Sequence, residues 1–203
     1  MTPLQLANDP PILVIDDMYT EQEMSLIWNE LAFLTSSKRL RHASKTQTAE
    51  NPDGTFKKTA TGVYLDSFYV DRASSDILEV NRKLFSQVVY DHAVKTSIFY
   101  GLLQVTNDDR TLINYYDNSQ EYTPHFDWSV FTAITIFYKE PVRFKGGDLV
   151  FPQIDVTVEK KNNRMIVFPG SLQHAVTPVE MQEDYPEYSG YGRYSMAQFL
   201  TIK

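Results

Sequence analysis

The chain has 203 residues, a formal net charge of −7 and no cysteine. This length suits one domain with a sizeable core, and the lack of cysteine excludes disulfides, thiolate metal sites and cysteine nucleophiles. The acidic charge argues against a nucleic-acid partner. Because there is no signal-peptide pattern and no apolar run long enough to span a bilayer, we expect a cytoplasmic protein without a membrane partner.

The N-terminal region is predicted to contain a strand followed by a helix. Residues 11–16 form an apolar run typical of a short buried strand. Thr20 fits a helix N-cap, because Glu23 stands three residues later at the capping-box position. The periodic apolar residues that follow predict a core-packing helix to about Leu34.

Residues 36–62 differ in composition from the flanking segments. They combine several lysines and arginines with many hydroxyl side chains and a turn sequence at 51–54, which predicts a long mobile loop or a loose hairpin. Such a segment is either a functional lid or a solvated excursion. Beyond it we predict a strand over 63–70 and one long helix from about 73 to 103.

From residue 106 onward, short β-rich segments alternate with turns, which is typical of a jelly roll. The predicted fold is mainly β with packed helices: a double-stranded β-helix (jelly-roll) core whose N-terminal helices support one sheet. We expect a single domain over 1–203, with the strand and helices in 1–105 and the jelly-roll core in 106–203. The predicted strands are 111–116, 121–126, 130–138, 148–151, 155–159, 164–168, 172–177 and 193–202.

The sequence His125-Phe-Asp127 is the first candidate for chemistry. Two residues apart on a strand, these side chains project from the same side of the backbone. A further histidine would complete the two-histidine, one-carboxylate facial set that holds iron(II) with open coordination positions. His174 is the candidate, because the chain re-enters a strand after the turn at 169–170 and an antiparallel pairing can bring it opposite His125.

A second candidate site lies near the C-terminus. Arg193 and Ser195 share one face of the last predicted strand. A guanidinium presents a fork suited to a carboxylate. A small dicarboxylate beside an open iron site would require such a residue.

Four sequence blocks, spread over residues 112–199, resemble the iron(II)- and 2-oxoglutarate-dependent dioxygenases, and most closely their prolyl 4-hydroxylase-like branch. A lone His-x-Asp is weak evidence, whereas four blocks in the family's order are specific. The blocks are Tyr116-(five residues)-Tyr122-Thr-Pro-His125-Phe-Asp127, Gly146-Gly147-Asp148-Leu-Val-Phe151-Pro152, His174-Ala-Val-Thr-Pro-Val179 and Arg193-Tyr-Ser195.

The resemblance implies a set of cofactors and roles. His125, Asp127 and His174 would bind Fe(II) as the catalytic centre, with 2-oxoglutarate as co-substrate, O2 as oxidant and ascorbate as an optional cofactor. The far carboxylate of 2-oxoglutarate would pair with Arg193, helped by Ser195. The remaining candidates are tyrosines and a tryptophan: Tyr116 contacting the co-substrate, Tyr122 lining the pocket, Tyr138 either reaching the co-substrate or packing, and Trp128 either touching substrate or packing.

The chain departs from the family pattern between His174 and Arg193. The basic residue usually follows the distal histidine by about ten positions, but here it follows nineteen positions later. The acidic, tyrosine-rich segment 180–191 is interpreted as an inserted loop that shapes the substrate rim. Gly146 and Gly147 are interpreted as a turn that needs positive φ, with no catalytic role, and Asp148 as structural.

Several functions remain open on the sequence alone. The favoured one is hydroxylation of an unactivated C–H in a prolyl or other amino-acid residue of a peptide or protein, comparable to procollagen-proline 4-dioxygenase, with the basic 36–62 and acidic 180–187 segments forming a wide entrance. The alternative substrate is a free amino acid or small metabolite. A non-catalytic metal-binding jelly-roll module would not need Arg193. A nucleic-acid demethylase would need a second downstream arginine, which is absent.

Overall fold

The computed structural model describes residues 11–36 and 38–203. The helices precede most of the strands in the chain. They are α1 (Glu21–Ser36), α2 (Leu65–Phe68), α3 (Asp76–Val80) and α4 (Gln87–Thr96), with 3-10 turns at Ala43–Lys45, Arg72–Ser74, Asn81–Phe85, Ile98–Val105 and Pro152–Ile154. As predicted, Thr20 caps α1: the Glu23 carboxylate accepts from the Thr20 amide, and the Thr20 hydroxyl accepts from the Glu23 amide.

The strands form antiparallel sheets. Their bounds are β1 (Leu13–Ile15), β2 (Thr61–Tyr64), β3 (Asp108–Tyr116), β4 (Tyr122–His125), β5 (Phe131–Phe137), β6 (Phe144–Gly146), β7 (Leu149–Phe151), β8 (Val156–Val158), β9 (Arg164–Pro169), β10 (His174–Val176), β11 (Val179–Met181) and β12 (Arg193–Thr201). A six-stranded sheet has the order β1-β9-β5-β12-β3-β2, a four-stranded sheet has the order β4-β10-β7-β8, and β11 pairs with β6. The chain is mainly β with a jelly-roll core, as predicted.

The six-stranded sheet has two buried faces because strand side chains alternate in direction. Tyr194, Met196 and Leu200 of β12 pack with α1, α3 and α4 in one apolar cluster. Ala197 belongs to the other cluster, which lies between this sheet and the four-stranded sheet. The helices thus cover the outer face, as expected, and leave the inner face for a site.

The predicted long helix over 73–103 is wrong. The chain instead forms α3 and α4 separated by 3-10 turns. Ser75 and Ser86 explain the breaks, because both have extended backbone angles and their side chains accept from amides three residues ahead, at Leu78 and Val89. A serine that caps a new helix cannot also continue the previous one.

The predicted strand over 63–70 is also only partly present, since β2 ends at Tyr64 and α2 follows directly. Asp66 in α2 accepts from the Thr111 amide at 2.6 Å, which fixes this turn of helix against β3. A helical turn of four residues leaves too little periodicity to be detected in sequence.

Residues 38–62 fold back on the sheets through isolated bridges rather than through strands. Arg41 pairs with Gly62, Glu50 with Phe56, and Lys58 with Tyr122 of β4. Thr46, Thr48 and Lys58 are buried although the segment is polar. The segment therefore forms part of the wall of the inner face, and not a solvated excursion.

The pair of β6 and β11 was not predicted. Three residues of β11, starting at Val179, pair with the strand that ends at Gly146. The segment interpreted as a loop over 180–191 therefore begins as a paired strand. Gly146 and Gly147 have φ of 65° and 75°, as expected for a glycine turn. The Asp148 carboxylate accepts from the Lys160 amide at 2.7 Å, in line with its structural interpretation.

Candidate metal centre

Sheet register brings the two predicted histidine ligands together. His174 of β10 and His125 of β4 are direct partners in an antiparallel pair. Their ring centroids are 4.2 Å apart, and both residues are buried. Residues separated by most of the jelly roll in sequence are thus neighbours on the inner face.

Backbone carbonyls orient both imidazoles in the same way. His125 Nδ1 donates to the Thr123 carbonyl at 2.9 Å, and His174 Nδ1 donates to the Leu172 carbonyl at 3.0 Å. This leaves both Nε2 atoms as acceptors facing Asp127, at 3.9 Å from Oδ1 for His125 and 3.3 Å from Oδ2 for His174. Holding a ligand histidine through its other nitrogen is a common feature of metal sites.

The carboxylate of Asp127 is fixed from the turn that follows β4. Thr132 Oγ1 donates to Asp127 Oδ2 at 2.7 Å. The backbone amide of Asp127 donates to the Gly170 carbonyl at 2.9 Å. A Cβ on Gly170 would lie 2.9 Å from the Asp127 carbonyl oxygen. Glycine at 170 therefore permits the close approach of the two turns that carry the ligands.

Electrostatics favour a neutral His125 and an ionised Asp127. Burial, followed by the neighbouring His174, lowers the pKa of His125 to about 3. Burial alone would raise the pKa of Asp127, but its interactions with His174, His125 and Thr132 outweigh it and lower that pKa. One ligand atom from each of His125, Asp127 and His174 lies within 4.8 Å of the others. A neutral imidazole acceptor and a carboxylate in this arrangement fit an iron(II) facial set.

A cavity of about 530 Å³ opens onto the three candidate ligands. Tyr116 and Tyr122 both line it. The ring of Tyr122 stacks on His125 with centroids 3.4 Å apart. Burial raises the pKa of Tyr116 to about 12, so its hydroxyl is a neutral hydrogen-bonding group at physiological pH.

Arg193 is fully buried, and its guanidinium lacks a protein acceptor. None of its three side-chain nitrogens has a hydrogen-bond partner among the described residues. The guanidinium carbon lies 5.1 Å from the ring centroid of Tyr116, which separates Arg193 from the cavity. Burial lowers the pKa of Arg193, but arginine remains charged in proteins. Such a group requires an anion that the described residues do not supply.

The other predicted contacts divide into two groups. Ser195 lines the cavity, and its Oγ accepts from Asn114 Nδ2 at 3.3 Å. Tyr138 follows β5, does not line the cavity and packs edge-on against Phe144 with centroids 5.6 Å apart. Of the two interpretations of Tyr138, the geometry favours packing.

Comparison with known proteins places the core in a family. The sequence model described as the 2OG-Fe(II) oxygenase superfamily matches residues 111–201. Residues 111–201 belong to the 2OG-Fe(II) oxygenase superfamily. Membership implies Fe(II), 2-oxoglutarate and O2, and the histidine and aspartate set fits iron. No curated protein sequence matches the chain.

Solved structures of prolyl hydroxylases share the fold of this chain. A prolyl-4-hydroxylase from Pseudomonas putida is 15% identical with a TM-score of 0.61, and the structural alignment covers 96% of this chain and 94% of that chain. A Trichoplax adhaerens prolyl hydroxylase in complex with a hypoxia inducible factor peptide fragment is 10% identical with a TM-score of 0.60, over 96% and 84% of the two chains. The viral collagen prolyl hydroxylase of Paramecium Bursaria Chlorella virus-1 is 12% identical with a TM-score of 0.54, over 93% and 94%.

The oxygenase cavity also contains residues that sequence reasoning missed. Lys58, Asn114 and Thr46 form a polar part of its wall. Lys58 donates to Asn114 Oδ1 at 2.7 Å and to Thr46 Oγ1 at 2.9 Å. The tandem Lys57-Lys58 gives no sign in sequence of which lysine is buried.

The acidic segment does not line the oxygenase cavity. Glu183, Asp184 and Glu187 border a separate cavity of about 230 Å³ beside Tyr115. The prediction that segments 36–62 and 180–187 jointly form one entrance is therefore wrong. The acidic segment follows β11 and lies beside Tyr115 and Asp117, and Tyr115 projects from the face of β3 opposite to Tyr116, which lines the metal cavity.

Aromatic side chains stand at the mouth of the cavity. Trp128 follows the candidate ligand Asp127 and is fully exposed, and Phe126 is half-exposed. Both line the cavity. An exposed tryptophan packs on nothing, so of its two interpretations contact with a ligand is favoured. Among the residues described, no helix is both long and apolar enough to cross a membrane.

Proposed function

We propose that this protein is an iron(II)- and 2-oxoglutarate-dependent oxygenase that hydroxylates an unactivated C–H, most specifically in a prolyl or other amino-acid residue of a peptide or protein. The observation that carries the proposal is the pairing of two incomplete buried sites. One is the ligand set His125, Asp127 and His174, and the other is the guanidinium of Arg193, which has no acceptor among the described residues.

Each residue has a distinct task in this proposal. Bound Fe(II) would supply O2 activation coupled to oxidative decarboxylation of 2-oxoglutarate. His125, Asp127 and His174 would hold the metal. The carbonyls of Thr123 and Leu172 fix the imidazole tautomers, so that both Nε2 lone pairs remain available.

Arg193 anchors the far carboxylate of the co-substrate. A carboxylate would supply the acceptors that its three nitrogens lack and would offset the cost of its burial. Tyr116 lies between Arg193 and the cavity, so its ring must share this region with the co-substrate. Ser195, two residues after Arg193 on β12, adds a hydroxyl on the same side of the strand.

A peptide substrate is supported by the rim of the cavity. Trp128 and Phe126 expose apolar area beside the metal site, and large aromatic side chains suit contact with a proline ring or another side chain. One structure with this fold is of a prolyl hydroxylase in complex with a peptide fragment. Sequestration of the reaction from water would depend on the polar segment around Thr46 and Thr48.

A free amino acid or a small metabolite is the second candidate substrate. The observation in its favour is the polar inner wall at Lys58 and Asn114, which could recognise a small polar molecule directly. A non-catalytic metal-binding module is disfavoured, because it gives no reason to bury an unpartnered Arg193. A nucleic-acid demethylase is disfavoured by the acidic net charge of −7.

The central test measures iron and co-substrate binding without turnover. Adding Fe(II) and 2-oxoglutarate anaerobically should give a weak visible charge-transfer band, and His174→Ala should abolish it because one imidazole ligand is lost. His92→Ala is the matched control, since His92 is exposed on α4. A normal band in His174→Ala would refute the ligand assignment.

Substrate class is tested by succinate release over proline-containing peptides and free amino acids. If only peptides increase succinate release, the protein is a peptide or protein hydroxylase. If only small molecules increase it, the second candidate substrate is correct. A protein that binds Fe(II) but forms no band with 2-oxoglutarate and releases no succinate with any compound would instead support the metal-binding module.

A further inference from the structure

We propose that Lys58 is a specificity-determining residue that binds a carboxylate of the primary substrate. This proposal rests on the proposed oxygenase function and adds the chemical class of substrate. It assigns the lysine a ligand different from the one assigned to Arg193. The carboxylate can belong to the backbone terminus of an amino acid or peptide, or to an acidic side chain beside the hydroxylated residue.

The first argument is the position of Lys58. Its side chain is 1% exposed, yet it lines the cavity that contains the candidate metal ligands. Its ammonium lies 5.7 Å from the centroid of Tyr122, whose other neighbour is the imidazole of His125. Lys58 is therefore accessible only from inside the site.

The second argument is its unsatisfied bonding capacity. An ammonium has three N–H donors, and the described residues accept two of them, at Thr46 Oγ1 and Asn114 Oδ1. Both acceptors are neutral. The third donor is left for a group that enters the cavity.

The third argument is charge. No carboxylate of the described residues forms an ion pair with Lys58, and the cavity lining contains a single acid, Asp127, which belongs to the metal set. Burial lowers the pKa of Lys58 to about 7, with Asp127 opposing the shift. Iron would neutralise Asp127, so that Lys58 would need another anion to remain charged in this wall.

The fourth argument distinguishes a carboxylate from a larger anion. Around Lys58, Asn114 Nδ2 is committed to Ser195, and the Thr46 hydroxyl contacts the Ala43 carbonyl and Thr48. A phosphate would require several more donors than this wall offers. One ammonium beside neutral partners matches a single carboxylate.

The experiment compares acid and amide forms of the same compound. The panel contains L-proline and L-prolinamide, proline-containing pentapeptides with a C-terminal acid or amide, and the same amidated peptides with Asp or Asn beside the proline. The readouts are substrate-dependent succinate release and hydroxylated product by mass spectrometry. We expect wild type to prefer at least one acid form by about 10- to 100-fold in kcat/KM, which corresponds to a charged hydrogen bond.

Variants connect this preference to Lys58. Lys58→Gln retains polar contact with Asn114 but removes the charge, and it should reduce the acid preference to within about twofold. Lys58→Arg should retain part of the preference. Lys45→Met is the matched control, because Lys45 is an exposed lysine of the same segment. Thermal melting of each variant establishes that it is folded.

The outcomes separate this proposal from the proposed function. Preference for an α-carboxylate supports a terminal or free amino acid, and preference for Asp over Asn supports an acidic peptide. Absence of any acid preference in wild type overturns the proposal, as does a preference that persists in Lys58→Gln. Loss of the Fe(II) and 2-oxoglutarate band in folded Lys58→Gln would assign the lysine to the co-substrate instead. If wild type itself does not form the Fe(II) and 2-oxoglutarate band, the proposed oxygenase function is refuted.

Discussion

Two buried cations, Arg193 and Lys58, are the most unusual features at the scale of single residues, because neither forms an ion pair among the described residues. Arg193 is enclosed by apolar groups: a Cβ on Gly147 would lie 2.8 Å from its Cδ and 3.2 to 3.3 Å from Phe144 and Val179. Lys58 has neutral polar neighbours instead. A charge buried without a counter-ion lowers the stability of the empty protein, so both residues imply anionic ligands.

Arg193→Met should separate binding from folding. Because methionine fills the space without a buried charge, we expect the melting temperature of the ligand-free protein to stay equal or rise. Saturating 2-oxoglutarate with Fe(II), at about 100 times the Kd, should stabilise wild type by about 2.7 kcal/mol. A 100-fold weaker Kd would reduce this to about 0.4 kcal/mol in the variant.

Differential scanning calorimetry under anaerobic conditions measures both quantities. Arg41→Met is the control, because Arg41 is exposed and its backbone makes the bridge to Gly62. If 2-oxoglutarate with Fe(II) stabilises Arg193→Met as much as wild type, the anchor of the co-substrate lies elsewhere in the cavity.

Serine caps determine the helical layer at the scale of elements. Ser75 caps α3 and is also buried, with its Oγ donating to Glu30 Oε1 at 2.8 Å. Glu30 of α1 accepts from the Ile77 amide at 2.9 Å as well. One serine therefore begins α3 and joins it to α1. Ser86 caps α4 without a buried carboxylate partner.

Ser75→Ala should destabilise the protein more than Ser86→Ala. Loss of a cap costs about 1 kcal/mol, and the buried carboxylate left short of a donor adds about 1 to 3 kcal/mol. We expect about 2 to 4 kcal/mol for Ser75→Ala against about 1 kcal/mol for Ser86→Ala, measured by urea unfolding. Equal losses would mean that the contact with Glu30 contributes nothing.

The arrangement of the whole molecule follows from one central strand. β12 pairs with both β5 and β3, so its alternating residues reach both layers. Tyr194 and Met196 pack under the helices, whereas Ser195 lines the pocket and Arg193 is buried behind Tyr116 on the same side of the strand. The site is therefore built on a strand whose other face is held by the helical layer.

Burial of neutral His125 should make the stability of the metal-free protein depend on pH. The folded pKa is about 3, below the ordinary histidine pKa of about 6.5. Between these values the unfolded chain binds more protons, so the free energy of unfolding falls as pH falls from 6.5 toward 3. The uptake of this one proton lowers the free energy of unfolding by about 2 kcal/mol between pH 6.5 and pH 5.

Urea unfolding of metal-free protein at pH 7 and pH 5 measures this loss. His125→Gln should reduce the difference between the two pH values, and His92→Gln should not, because His92 is exposed. An unchanged pH dependence in His125→Gln would show that another group binds the proton.

The sequence alone was sufficient for features that depend on local spacing. Most strands of the jelly roll lie where the periodic segments predicted them, although β4 ends at His125, so that Asp127 lies in the turn beyond the strand. The Thr20 cap was predicted for the same reason, since its partner is only three residues away. The roles of the site residues stay predictions until the experiments above are done.

Only the tertiary structure decided features that depend on distant partners. Lys57 and Lys58 are indistinguishable in sequence, yet only Lys58 is enclosed, because its extended segment bridges to Tyr122 of β4. The strand β11 exists because β6 lies beside it, and the surroundings of Arg193, which contain no hydrogen-bond partner among the described residues, come from three separate segments. Burial and pairing are properties of the packed chain, since they arise from residues that are far apart in sequence.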